Sequence, residues 1–341
     1  MTEIRLEDFN YQLPNDLIAQ TPPKFRGQSK LLHYDKTTKT IAHHSFSNIV
    51  DLLPKDCVIV FNNTKVIKAR VIAKRGTGGK VECFFLEKKE TNCWKILIKN
   101  GQRVNVGETL FIDDHGILII EKNHQHAIVK ISGPRSDLDF LDAFGEAPLP
   151  PYIKTNTPNK HFDRYQTVFA ESPGAVAAPT ASLHFTNEIL TQLREKNIDI
   201  IYITLHVGLG TFSPIKSENI FDHTMHYETY HISDKAAQQL NHAKANRKAI
   251  FAVGTTVIRC LESNIKNNQF HAKESSTNLF ITPKHQFKCI DGIITNFHLP
   301  KSSLLILISS FLGKDITLML YKTAIKYRYR FFSFGDAMLI T

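Results

Sequence analysis

The sequence predicts an α/β protein in which a larger α/β domain, residues 1–65 and 151–341, carries a small β-barrel domain inserted at residues 66–150. Three observations carry this. Apolar strand-like runs alternate with helical patterns beyond residue 186, the pattern of a sheet covered by helices. Short strand-like runs crowd between residues 66 and 132, divided by glycine, asparagine and aspartate. A proline-rich stretch, Pro148-Leu149-Pro150-Pro151, closes the crowded region.

In chain order, the first 65 residues are assigned to the larger body. Val66 to Ala73 alternates in part, and Lys80 to Leu86 and Cys93 to Ile98 run apolar. Phe111-Ile112, Gly116 to Ile120 and Ala127 to Ile131 follow. Gly76-Thr77-Gly78-Gly79, Asn100-Gly101 and Asp113 to Gly116 supply the turns. Strands of five or six residues at this spacing suit a small barrel or sandwich. Beyond Pro151, Ile198 to Leu205, Ala249 to Val253 and Gly292 to Thr295 are buried-strand candidates. Helices are expected over 187–196, 234–246, 255–264, 302–312 and 316–327.

Composition limits function. Of 341 residues, 42% are hydrophobic and 22% charged, which excludes a disordered tail, a collagen-like fibre and a coiled coil. The most apolar run, Leu304 to Leu312, is about half the roughly 20 residues of a membrane span. The N-terminus lacks an apolar signal core, so a cytoplasmic protein with no membrane partner is expected. Cys57, Cys83, Cys93, Cys260 and Cys289 are scattered, odd in number and form no C-x-x-C, which points to free thiols. The formal charge is +10. Between Lys65 and Arg103 eleven basic residues face three acids, a local excess of eight. Anionic partners follow, nucleic acid first.

Several segments carry chemistry. Ala249 to Ser263 forms strand, glycine turn, helix; Gly254 permits close approach, and Thr255 and Thr256 can cap the helix or meet an anion there. Leu205-His206-Val-Gly-Leu-Gly follows a strand but lacks the third glycine of a dinucleotide fingerprint, so it is read as a loop carrying a titratable His206. Asp222 to His231 is dense in metal-capable groups. Extended, it puts His226 and Glu228 on one face; its spacing fits no common metal signature, and an acid/base pair or plain surface polarity are the other readings. Arg164, Thr180 and His184 are polar candidates in a loop rich in small residues. Asn296 and His298 end a strand candidate. The C-terminal segment interleaves Lys322, Lys326, Arg328 and Arg330 with aromatics, with no acid before Asp336, a composition suited to base stacking and phosphate contact.

Together these strings resemble the S-adenosylmethionine:tRNA ribosyltransferase-isomerase family of the queuosine pathway, nearly end to end. The strings include Asp8-Phe-Asn-Tyr-Gln-Leu-Pro, Asn62-Asn-Thr-Lys, Arg164-Tyr-Gln-Thr-Val-Phe, Ala177-Ala-Pro-Thr-Ala-Ser-Leu-His, Leu205-His-Val-Gly-Leu-Gly, Met225-His-Tyr-Glu, Asp291-Gly-Ile-Ile-Thr-Asn-Phe-His and Tyr329-Arg-Phe-Phe-Ser-Phe-Gly-Asp. The chain departs at Ser182 and Lys284, where the family carries glycine, so special backbone angles are expected there.

The resemblance implies the barrel-in-α/β architecture. It implies transfer and isomerisation of the ribosyl part of S-adenosylmethionine onto 7-aminomethyl-7-deazaguanine at the tRNA wobble position, giving epoxyqueuosine-tRNA, adenine and methionine. S-adenosylmethionine is then a consumed substrate; no cofactor and no metal are expected, and the enzyme is expected to be a monomer. Reasoning forward from that reaction assigns His226 and Glu228 as base or orienting pair, and His206 or His184 as acid near adenine. Gly254, Thr255 and Thr256 would hold the methionine carboxylate or a ribose hydroxyl, and Asn296, His298 and Asp336 the ribose or base. Arg164 and Thr180 would touch substrate. The tRNA would meet Lys74 and Arg75 on the barrel and Lys322, Lys326, Arg328 and Arg330. The rival readings are a non-catalytic RNA-binding protein and a metal hydrolase built on the Asp222–His231 cluster.

Overall fold

The computed structural model describes residues 3–150, 152–153, 157–208, 210 and 214–341. Leu209 and residues 211–213 of the glycine loop, and Pro151 at the expected domain edge, lie outside the described residues.

Nine strands form the larger sheet. Its centre is four parallel strands in the order Asp199–Leu205, Val58–Asn62, Ile250–Val253 and Gly292–Asn296. Glu228–Ile232 and Lys273–Thr277 extend it antiparallel on one side. Ala337–Ile340, Lys30–Asp35 and Thr40–Ser45 extend it on the other. Central strands are buried on both faces, which explains their continuous apolar runs. Alternate side chains serve opposite cores: Val58, Val60, Ile250 and Ala252 pack into one, and Ile59, Phe61, Phe251 and Val253 into the other.

Helices cover both faces. Asn187–Glu195 packs Ile189, Leu190 and Leu193 against one core. Asp234–Ala245, Thr255–Asn264, Ser303–Leu312 and Lys314–Lys326 cover the other. Thr186, Ser233 and Ser302 each accept an N–H of the following first turn, which sets three of these helix starts. The last two helices meet at Gly313, where the chain bends by 115°; no single helix among the described residues is long and apolar enough to cross a membrane.

The second sheet runs Arg70–Arg75, Lys80–Glu90, Cys93–Ile98, Ala127–Ser132, His115–Lys122, Thr109–Ile112 and closes on itself where Lys74 pairs with Phe111 and Arg75 with Leu110. Val71, Ala73, Phe85, Trp94, Ile117 and Val129 fill the barrel, and Asp137–Phe144 stoppers it with Phe140 and Leu141. Gly145–Glu146 then returns to pair with Val71 and Arg70. The two connections to the larger sheet also pair, Thr64–Val66 running parallel to Ser172–Ala175.

Candidate functional site

The four parallel strands end at Leu205, Asn62, Val253 and Asn296, and ligands of such sheets gather outside these carboxyl ends. Asn62, fully buried, ties the ends together. Its Nδ2 donates to the Leu205 carbonyl at 2.9 Å and to Thr256 Oγ1 at 3.3 Å. Its Oδ1 accepts the N–H groups of Leu205 at 3.0 Å and Thr64 at 3.1 Å. A buried amide with every group partnered makes a rigid floor. Sequence reasoning did not assign Asn62 a role; the available signal was a polar residue ending the apolar run Val58 to Phe61.

His206 sits just beyond its strand. Nδ1 lies 2.8 Å from Thr64 Oγ1, and that hydroxyl reaches the Ser172 carbonyl at 3.4 Å. The 2.8 Å contact with Thr64 fixes the orientation of the ring, and either tautomer satisfies it. Gly174, at φ +152°, lies against the ring; a Cβ there would come within 2.9 Å of it. Burial holds the imidazole below its ordinary pKa, against the opposing pull of Glu274.

The expected His226–Glu228 strand pair is corrected. The strand begins only at Glu228, so His226 precedes it and is exposed. Glu228 is buried and ion-paired with Arg259 of the helix Thr255–Asn264, and it also accepts the Gly208 N–H at 2.9 Å. The His226 ring packs on Gly210, where a Cβ would meet it at 2.3 Å. Both residues therefore reach the 206–210 loop, by different contacts. Arg259, which also donates to the Leu279 carbonyl at 3.0 Å, was not singled out in the sequence.

Gly254 turns at φ +90° into that helix, a conformation an L side chain rarely adopts. It offers no side-chain cap, and Thr255 and Thr256 are buried beside Met225, Arg259 and Ser303 around a narrow cavity.

On the other side, His184 is buried against Phe46. Nδ1 lies 2.9 Å from Ser29 Oγ, and Nε2 is 3.2 Å from Asn296 Nδ2, which can only donate. The ring is neutral, its pKa pushed down to about 3 by burial and by the charges of Arg330 and Arg26. Asn296 also donates to the Phe332 carbonyl at 3.1 Å, and its buried Oδ1 has no partner. Asp336 accepts the N–H groups of Lys30 at 2.9 Å and Arg330 at 2.7 Å, yet burial raises its carboxyl pKa.

His298 lies in the core, Nε2 3.0 Å from Thr295 Oγ1, its carbonyl accepting from Tyr11 and its N–H donating to Tyr321 Oη at 3.1 Å. Thr180 opens the short helix Thr180–His184. Arg164 donates to the Pro23 carbonyl at 2.9 Å. Lys74, Lys322 and Lys326 are exposed, whereas Arg75 is held bidentate by Glu108 at 2.6 and 3.1 Å. Arg328 pairs with Asp16 at 2.6 Å, and Arg330 turns inward to the Phe334 carbonyl at 2.8 Å. A cavity of about 600 Å³ beside Lys122 and His126 is built wholly from barrel residues, and the sheet edge contributes none.

Ser182 and Lys284 do not take positive φ, contrary to expectation. Ser182 is fully buried with its hydroxyl unpartnered, and Lys284 is exposed over the Phe221 ring at 4.6 Å.

Against this geometry stand four likenesses. The model of the queuosine biosynthesis protein family matches residues 6–340. The S-adenosylmethionine:tRNA ribosyltransferase-isomerase of Sulfurihydrogenibium sp. (strain YO3AOP1) is 46% identical over 339 residues, 99% of this chain and all of that protein. The protein of the same name from Clostridioides difficile (strain 630) is 46% identical over 345 residues, again 99% of this chain and all of the relative. The crystal structure of S-adenosylmethionine tRNA ribosyltransferase from Thermotoga maritima is 32% identical, with a TM-score of 0.57, covering 98% of this chain and all of that one.

Proposed function

The chain belongs to the queuosine biosynthesis protein family of S-adenosylmethionine:tRNA ribosyltransferase-isomerases, and from that premise we propose how its sheet edge performs the reaction. It is a tRNA-modifying enzyme that uses S-adenosylmethionine as substrate and transfers and isomerises its ribosyl part. The acceptor in this reading is 7-aminomethyl-7-deazaguanine at the wobble position, and the product is epoxyqueuosine in tRNA.

The sulfonium acidifies the adjacent 5′ C–H, so a base can remove that proton. Adenine leaves as it gains a proton, the neutral acceptor amine attacks the sugar, and methionine departs as the epoxide closes. His206 is assigned the base. Its orientation by Thr64 and its lowered pKa support this, since the ring is unprotonated at neutral pH. His226, across the 206–210 loop on Gly210, is assigned the proton donor to adenine. His184 is assigned no proton transfer, because Nδ1–H is bound to Ser29 and Nε2 accepts from Asn296; with Asn296 it shapes the wall against the ribose or base.

Glu228 and Arg259 brace the loop that carries His206 and against which His226 packs. The free N–H groups after Gly254, with Thr255 and Thr256, are assigned to the methionine carboxylate. Asp336 and His298 hold the turns around Asn296 in place. Residues 66–150 are read as an RNA-facing domain, and the enzyme as a cytoplasmic monomer that needs no resident cofactor or metal.

The observation that carries this reading is the convergence of His206, Asn62 and Thr256 at one sheet edge. Mass spectrometry of the wobble nucleoside after incubation of precursor tRNA with S-adenosylmethionine tests it. Appearance of the ribosylated nucleoside with stoichiometric adenine and methionine is expected; an unaltered nucleoside would overturn the reading.

A further inference from the structure

Arg164 lines a shallow cleft, and Arg26 and Arg330 stand on the segments that flank it. Arg26 donates to the Leu183 carbonyl at 3.0 Å and the Gln166 carbonyl at 2.9 Å. Arg164 donates to the Pro23 and Lys24 carbonyls at 2.9 and 3.3 Å. Arg330 donates to the Thr21 and Phe334 carbonyls at 3.1 and 2.8 Å. These bonds lace the 21–27 loop to the elements behind it, and the cleft opens between that loop and Ser333–Gly335, with His184 on its wall.

Every acceptor named is a neutral carbonyl. Among the described residues none of the three guanidiniums has an ion pair, whereas Arg75, Arg259 and Arg328 each have one. Partly buried guanidiniums ordinarily meet a carboxylate, and each has five donors, so two carbonyl bonds, or three for Arg26, leave donors over. The charges also act on their surroundings: Arg164 lowers the pKa of Arg26, and Arg26 and Arg330 help keep His184 neutral. The loop's tip adds Phe25, 56% exposed, with Lys24 Nζ 5.3 Å from the ring centre.

We propose that this cleft binds a phosphodiester of the tRNA beside the target nucleotide, with Phe25 stacking on a neighbouring unpaired base. The inference rests on the reading that tRNA is the substrate. A lone carboxylate, such as that of S-adenosylmethionine, would answer the charge but leave the flat ring of Phe25 without a partner. An RNA strand supplies both an anion and a stacking face, the pairing on which single-stranded recognition depends.

The test is binding of precursor tRNA to wild type, Phe25→Ala, Arg164→Gln and Arg164→Lys between roughly 50 and 200 mM salt. S-adenosylmethionine binding without tRNA is measured in parallel by equilibrium dialysis. Phe25→Ala should weaken tRNA about tenfold at every salt with the slope kept, since a stacked base is lost and no charge. Arg164→Gln should reduce the slope of log K against log salt by about one, and Arg164→Lys should restore it. Phe25 is exposed, so its truncation leaves the core intact and keeps the test decisive if Arg164→Gln misfolds. Wild-type affinity in Phe25→Ala, or an unchanged slope in a folded Arg164→Gln, overturns the proposal. So does a loss confined to S-adenosylmethionine, which would assign the cleft to a carboxylate. A wild type that modifies tRNA while these variants bind as it does removes the cleft alone; a wild type that modifies no tRNA removes the reading beneath it.

Discussion

The Nδ1 of His206 lies 2.8 Å from the hydroxyl of Thr64, so the imidazole beyond one parallel strand is oriented by the residue just beyond its neighbour. That arrangement separates the ring's chemistry from its orientation. His206→Gln should lower single-turnover adenine release about a hundredfold or more, within the span of general base catalysis. Thr64→Val keeps the ring but loses its orientation, and a decrease of about tenfold is expected. The wild-type rate should rise with pH through a pKa below the ordinary 6.5 and then level, because burial favours the neutral ring. Wild-type rates in His206→Gln would remove it from the mechanism.

Alanine at His226 should cut single-turnover transfer at least tenfold by removing the donor to adenine. The loss should be smaller when the leaving base is a more acidic purine analogue, because such a base needs less help to depart. A uniform loss across analogues would assign His226 to packing on Gly210 instead.

Glu228 and Arg259 are both buried, so removing one charge strands the other. Arg259→Met should lower unfolding free energy by about 3–5 kcal/mol in chemical denaturation. The double variant with Glu228→Gln should recover part of that loss. A double variant no better than the single one would show that the cost comes from lost packing.

His184 and His298 are buried neutral, each with a folded pKa of about 3 against about 6.5 unfolded. Between these values the unfolded chain binds protons that the native one refuses. Stability is therefore full above pH 6.5 and falls as pH drops, by about 1.4 kcal/mol per unit for each ring. From pH 7 to 5 the pair should cost about 4 kcal/mol, and His298→Gln should halve the slope. Asp336, raised by burial, works in the opposite sense above its unfolded pKa. Stability independent of pH over this range would show that the rings are not buried in solution.

Affinity for tRNA should fall steeply with salt. Lys322→Glu and Lys326→Glu, both on exposed positions, should weaken binding and flatten that response. Arg75→Gln should do less, because Glu108 already holds that guanidinium. A flat response from roughly 50 to 200 mM would place the RNA elsewhere.

What the sequence discloses follows burial. The strand Asp199–Leu205 and the helix Thr255–Asn264 were legible because central parallel strands and covering helices are apolar in unbroken or periodic runs. The strands Lys30–Asp35 and Thr40–Ser45 were not: Thr40–Ser45 is an edge strand with no buried residue, and Lys30–Asp35, although inside the sheet, interrupts its short apolar run at His33 and ends in charges. Ala337–Ile340 was read only as the end of a basic segment, since four residues show no period. Histidines named as site candidates fared differently for a tertiary reason. Nothing local distinguishes His298, enclosed by Tyr11 and Tyr321, from His206 at a strand's mouth, because the shell around each comes from distant segments. Asn62 escaped for the same reason: its partners Leu205 and Thr256 are 143 and 194 residues away.

Arg70 and Glu146, where the chain goes into the barrel and comes out of it, face one another as direct strand partners. Opposed residues in such a ladder are only about 5 Å apart. The lobe is thus a cassette on adjacent stubs, and a short turn could replace it without stretching the backbone on either side. Expressing the chain without those strands asks whether the larger sheet folds, and what it does to free S-adenosylmethionine, on its own.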